Sequence, residues 1–303
     1  MKNFSELIDK VKSKNPFTIA VAAADDTDVL GAVKMAQDLG FVKPILVGDK
    51  EKINTIMDQL EMDGCMVIHN PDSASASAQA VSIVKSGEAQ VLVKGMVNTS
   101  VYMKAILNRE NGLRTGRLIS LTAVYEMPCY HKLIFGTDSG INTAPNLEQK
   151  VDILNNALLA MSGMGIHNPK VALLAANEMV DPKIPATADA AALVQMAQEG
   201  IFPPAIIEGP LSLDIAFDAH AAAHKGMTSK VSGDPDLLLF PNIEGGNLLG
   251  KSWLQFNQAK WAGIVLGASS PVVLGSRSDT PEIKLNSIAL GCLAASQSQK
   301  KMN

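Results

Sequence analysis

The sequence predicts an α/β protein built from two doubly wound domains, on three grounds. Short runs rich in Val, Ile and Leu alternate with longer helical stretches throughout, the order that parallel strands need for their crossovers. Apolar residues make up 47% of the chain and aromatic residues only 4%, which suits helices laid on buried strands better than a β-sandwich. The 303 residues exceed what one small core requires and favour two domains of about 150 residues each.

Taken in order, the predicted strands are residues 18–23, 44–47, 65–69, 91–93, 119–124, 132–135, 170–175, 205–207, 237–240, 263–267 and 272–274. Candidate helices between them include 28–39, 74–86, 147–164, 186–198 and 215–225. Residues 1–15 carry charges at helical intervals and lack the apolar centre of a signal peptide. Ser73-Ala-Ser-Ala-Ser-Ala78 follows Asn70-Pro71-Asp72 and reads as the start of an Ala-rich helix, not as low complexity. A domain change is expected near 113–117. The last helix, from Pro281, is taken back to the first domain, giving residues 1–116 with 268–303 around a second domain of 117–267, a division that periodicity alone does not show.

Composition removes several classes of function. With 26 basic and 30 acidic residues the net charge is −4, and no basic run or basic-aromatic stripe marks a nucleic-acid surface. Cys65, Cys129 and Cys292 are scattered without a C-x-x-C, as expected of reduced thiols in a cytoplasm, and no metal framework is visible. The longest apolar stretch, 262–275, is interrupted by Gly267, Ser269, Ser270 and Pro271, so no membrane span is expected.

Polar residues gather where predicted strands end, the place where open α/β sheets bind ligands. They are Lys94-Gly95, Gly136-Thr-Asp-Ser-Gly140, Asn177-Glu178, Asn242 and Ser276-Arg277. In the last of these, the strand 271–274 runs through Gly275 into a turn and a helix with Thr280 as N-cap, Pro281 at its first position and Glu282 in its first turn. Arg277 offers a planar fork suited to phosphate oxygens beside a helix start, and can equally pair with Asp279 or Glu282 on the surface.

Two patterns compete with that reading. Gly245-Gly-Asn-Leu-Leu-Gly-Lys-Ser252 satisfies G-x-x-x-x-G-K-S, which would make the chain an NTPase. Leu248 and Leu249 are bulky for a phosphate-wrapping loop, and only 51 residues follow in which to place a magnesium-binding acid. His220 and His224 stand one helical turn apart, a zinc-compatible spacing, but without an intervening Glu or a third ligand.

Together these segments resemble the phosphate acetyl- and butyryltransferase family nearly end to end. The resemblance is carried by Gly40-Phe-Val-Lys-Pro-Ile-Leu-Val-Gly48, Val91-Leu-Val-Lys-Gly-Met-Val-Asn-Thr99, Gly136-Thr-Asp-Ser-Gly-Ile-Asn142, Glu208-Gly-Pro-Leu-Ser-Leu-Asp-Ile-Ala216, Ser229-Lys-Val-Ser-Gly233, Asp236-Leu-Leu-Leu-Phe-Pro-Asn242, Gly246-Asn247 and Ser276-Arg277. It implies a two-domain fold like that of the isocitrate and isopropylmalate dehydrogenases, with an active site in the interdomain cleft. It implies acyl-CoA plus phosphate giving acyl phosphate plus CoA, with butyryl as the expected acyl group, coenzyme A as substrate and no other cofactor. Ser276 and Arg277 would orient thiol and phosphate. Lys94, Gly95, Asn98, Thr99, Asp138, Ser139, Asn242, Gly246 and Asn247 would bind substrate. The acetyl branch places an aspartate base seven residues after the serine, where this chain has Ile283, so Glu282 and Asp279 become the candidate acids. A homodimer or higher homo-oligomer is implied too. The alternatives are an acetyl-preferring enzyme, a binding protein of reduced activity on the same scaffold, and the NTPase.

Overall fold

The computed structural model describes residues 1–275 and 279–300, with side chains to Ser296. The chain divides into two compact units, one of residues 3–117 with 261 onward and one of 118–260. The return to the first unit thus falls at Trp261, ahead of the 268 taken from sequence, because the strand beginning there pairs within the first unit.

Unit 1 opens with α1 (Phe4–Lys12), β1 (Phe17–Ala22), α2 (Thr27–Asp38), β2 (Val42–Gly48), α3 (Lys50–Gln59), β3 (Met66–His69), α4 (Ser73–Lys85), β4 (Val91–Lys94) and α5 (Thr99–Ile106). Unit 2 contributes β5 (Ser120–Glu126), β6 (Ile134–Thr137), α6 (Leu147–Gly163), β7 (Lys170–Leu174), α7 (Pro185–Gln198), β8 (Ile206–Leu211), α8 (Leu213–Phe217), α9 (Ala219–His224), β9 (Leu237–Leu239) and α10 (Ile243–Phe256). Unit 1 is then completed by β10 (Lys260–Leu266), β11 (Val272–Val273) and α11 (Pro281–Lys300).

Strand order is β3-β2-β1-β4-β11-β10 in unit 1 and β5-β6-β9-β7-β8 in unit 2. Most neighbours are parallel, as the strand-helix alternation predicts. Two pairs correct that expectation: β5 with β6 and β10 with β11 run antiparallel. The connections between them, 127–133 and 267–271, are too short for a crossover and can only turn back. Another correction falls at 215–225, where Asp218 takes an extended conformation (φ −128°, ψ 108°) and splits the expected helix into α8 and α9.

In unit 1, β1, β4 and β11 are apolar and almost wholly buried, with Ile19, Val21, Val91, Leu92 and Val272 at 0% exposure. Burial on both faces explains why these strands read as continuous apolar runs and not as alternating ones. On one face α11 packs against α1 and α2. Gly291 lets it lie close to the sheet, since a β-carbon there would stand 3.1 Å from Val91 Cγ1 and 3.2 Å from Val273 Cγ2.

β1 pairs with β2 on one side and β4 on the other, both in parallel. Their crossovers diverge at that point, which opens the crevice where such sheets take ligands.

Candidate functional site

Three of the four strand-to-helix turns that begin unit 1 are closed by their own carboxylates. Asp26, Asp49 and Asp72 cap α2, α3 and α4, accepting from the amides of Val29, Glu51 and Ser75 respectively. A capping carboxylate satisfies orphan amides and opposes the positive helix end. The turn after β4 is built differently. Asn98 precedes α5 without a side-chain cap, and the residue closing β4 is a lysine, Lys94, only 6% exposed. A lysine ammonium and an uncapped helix start together make a local preference for an anion.

The backbone there is tightly fixed. The amides of Gly95 and Met96 donate to the carbonyls of Ala22 and Ala23 at 2.9 and 2.7 Å. A β-carbon at position 95 would lie 2.1 Å from the Ala23 oxygen, so only glycine fits. Gly95 therefore acts on the site by positioning Lys94 and Met96, and Thr99 opens α5 beside them.

β11 runs parallel to β4, with Val273 opposite Val93, so the segment after β11 emerges on the same rim. Ser276 and Arg277 lie outside the described residues. Beyond them Asp279 is buried at 7% exposure, and its Oδ2 lies near enough to Gly275 that a β-carbon there would be 3.8 Å away. Lys284, also 7% exposed, donates from Nζ to the Asp279 carbonyl oxygen. This second buried ammonium was not among the sequence candidates; its signal was a lone cation inside the apolar run of α11. Glu282, the other candidate acid, is exposed. Hydrogen bonds from its own amide and from the Thr280 hydroxyl hold its carboxyl below the usual range. It serves the first turn of α11, whose Ile283 amide also donates to Thr280 Oγ1 at 3.4 Å.

In unit 2 the candidate residues mostly bind one another. The carboxylate of Asp138, 3% exposed, accepts from the amides of Gly140, Ile141 and Asn142 at 2.9–3.1 Å and from Asn142 Nδ2 at 2.6 Å. Its acceptor capacity is thus spent on holding the loop after β6. Asn247 donates to the Ser139 carbonyl at 3.1 Å, and Asn242 caps α10 by accepting from the Gly245 amide at 2.9 Å. Ser139 also bonds the Tyr125 hydroxyl; burial pushes that phenol up to about 12 while the Ser139 bond pulls the other way.

Residues 245–252, the phosphate-loop match, lie inside α10 and form no loop. A β-carbon at Gly246 would stand 2.5 Å from Phe240 Cδ2 and 3.0 Å from Ser139 Cβ. Gly246 and Gly250 bring the helix down onto β5, the loop after β6 and the residue after β9. His220 and His224 are exposed on α9, and no group of three metal-ligating side chains occurs among the described residues. No helix among them is long and apolar enough to cross a membrane.

Doubly wound units, with a buried lysine beside a helix start at the switch point of the first, place the chain in the class of open-sheet α/β proteins. The sequence family is specific: residues 72–292 match the phosphate acetyl/butaryl transferase family, and the chain belongs to it. A phosphate butyryltransferase from Clostridium acetobutylicum is 44% identical over 97% of this chain and 99% of its own length. A phosphate acetyltransferase from Thermotoga maritima is 38% identical over 96% of this chain and 99% of its own. Among solved structures, a branched-chain phosphotransacylase from Enterococcus faecalis superposes with a TM-score of 0.82 at 33% identity, covering 92% of this chain and 99% of that one.

Proposed function

We propose that the chain exchanges a short acyl group, butyryl first among them, between coenzyme A and phosphate, with coenzyme A as a substrate and no further cofactor. The observation that carries this reading is Lys94, a buried ammonium at the end of β4 beside the uncapped start of α5, in a chain of this family. The higher identity to the butyryltransferase than to the acetyltransferase favours butyryl.

In the direction of thioester formation the coenzyme A thiol attacks the acyl carbon of the acyl phosphate, its proton passes to a base, and phosphate leaves. A thiol near pKa 8.5 is mostly protonated at neutral pH, so the step gains from a base and from positive charge. Asp279, buried on the rim, is the better placed acid of the two candidates. Lys94, Lys284 and the amide of Thr99 at the start of α5 would stabilise charge on the tetrahedral carbon's oxygen and on the leaving phosphate. Ser276 and Arg277 keep the orienting roles that the family resemblance gives them.

A cytoplasmic homo-oligomer belongs to the same reading. Leu248 and Phe256 on α10, 70% and 83% exposed, are large apolar side chains suited to a subunit contact.

Incubation with butyryl-CoA and phosphate, following free thiol, tests the proposal. Phosphate-dependent release is expected, and Lys94→Ala should slow it at least about tenfold. No phosphate-dependent release overturns the reading, and ATP hydrolysis in its place would favour the NTPase.

A further inference from the structure

We infer that Met96 forms part of the wall against which the acyl chain rests, and so sets chain-length preference; the inference rests on the acyltransferase reading above. Met96 is 45% exposed although its chain neighbours Gly95 and Val97 are both buried. Its outward position is built, since successive amides at Gly95, Met96 and Val97 donate to the carbonyls of Ala22, Ala23 and Gly95 at 2.9, 2.7 and 2.9 Å. With glycine required at 95, the backbone has no freedom to turn this side chain inward.

Among the described residues of unit 1, three large apolar side chains stay exposed: Met66, Met96 and Leu107. Met66 begins β3 and so stands at the amino end of the parallel strands, and Leu107 follows the far end of α5. Met96 alone stands on the carboxyl-end rim. A single exposed methionine elsewhere would need no explanation. Here it is flanked by a buried ammonium on one side and by exposed Asn98 and Thr99 at a helix start on the other.

The reaction needs an apolar surface at this place. In an acyl phosphate the alkyl chain grows from the carbon bonded to the phosphate oxygen, so whatever holds the chain must adjoin whatever holds the anion. Met96 is two positions along the chain from Lys94, at most about 7 Å of backbone. An unbranched thioether also adapts to chains of different length better than a branched side chain does. Butyryl carries two more methylenes than acetyl, and each methylene taken from water is worth about a fourfold gain.

The test compares butyryl-CoA with acetyl-CoA, each with phosphate, for the unsubstituted chain and for Met96→Ala, Met96→Gln and Met96→Leu. The ratio of kcat/KM for butyryl over acetyl should fall about tenfold in the Ala and Gln variants and stay within about twofold in Leu. Gln keeps the length of the side chain, so its effect isolates the apolar contact. A ratio unchanged or raised in both Ala and Gln overturns the inference while leaving the acyltransferase reading intact. Absence of phosphate-dependent thiol release from the unsubstituted chain with either thioester overturns that reading, and the inference with it.

Discussion

Gly250 of α10 lies so close to Tyr125 of β5 that a β-carbon on the glycine would stand 2.2 Å from the phenolic oxygen. The glycine of the apparent phosphate-loop sequence is therefore a packing residue. Gly250→Ala should destabilise the protein by about 1–3 kcal/mol, read as a lower denaturant midpoint. A nucleotide-binding role would instead leave stability intact and abolish ATP binding.

Asp279 and Glu282 should separate in kinetics. Glu282 is exposed and already ionised well below neutral pH, so Glu282→Gln is expected to leave both the rate and its pH profile in place. Asp279→Asn should lower the rate about 100-fold or more and remove the acidic limb of the profile if it accepts the thiol proton. An equal loss in both variants would return Glu282 to the site.

Stability should depend on pH through Asp234. Partial burial works against its charge, but hydrogen bonds from Lys132, Lys170 and His131 prevail and hold its carboxyl well below the usual range. Lys132 and Lys170 each reach it at 2.7 Å and His131 at 2.8 Å. A depressed folded-state pKa contributes stability above the unfolded value, about 4, that is lost as pH falls through the folded one. Asp234→Asn should therefore destabilise at pH 7, and its difference from the unsubstituted chain should shrink on acidification below about pH 4. Urea titrations at both pH values check this; a constant difference would refute it.

The three thiols should react at very different rates. Cys129 is exposed; Cys65 is raised to about 11, by burial first, with a hydrogen bond to Gln37 opposing and the Asp63 charge adding. Burial raises Cys292 further. A soluble aromatic disulfide at pH 8 should find a single fast thiol per chain, and Cys129→Ser should remove it. Fast reaction surviving in that variant would contradict the burial of the other two.

Much of the fold was legible because buried parallel strands leave uniform apolar runs such as residues 19–22 and 91–93. What was not legible was direction. The residues of β10 and β11 are as apolar as their parallel neighbours, and only the length of the connection makes them antiparallel. At the site, Lys94 and Gly95 could be picked out because a cation and a glycine at a strand end are unusual. The inward turn of Asp279 and the outward turn of Glu282 could not, since two acids three residues apart at a helix start differ only in tertiary surroundings. Asp138 shows the opposite limit: its residue type suits ligand binding, but its oxygens are filled by its own loop.

β11 is two residues long, yet it fills the place between β4 and β10. During synthesis the ribosome must therefore deliver all of 118–260 before the inner gap beside β4 can close. The rim holding Lys94, Asp279 and Lys284 thus joins a part translated before the second unit to a part translated after it. A chain cut short before residue 272 would keep every strand of the second unit and still have nothing to complete that rim.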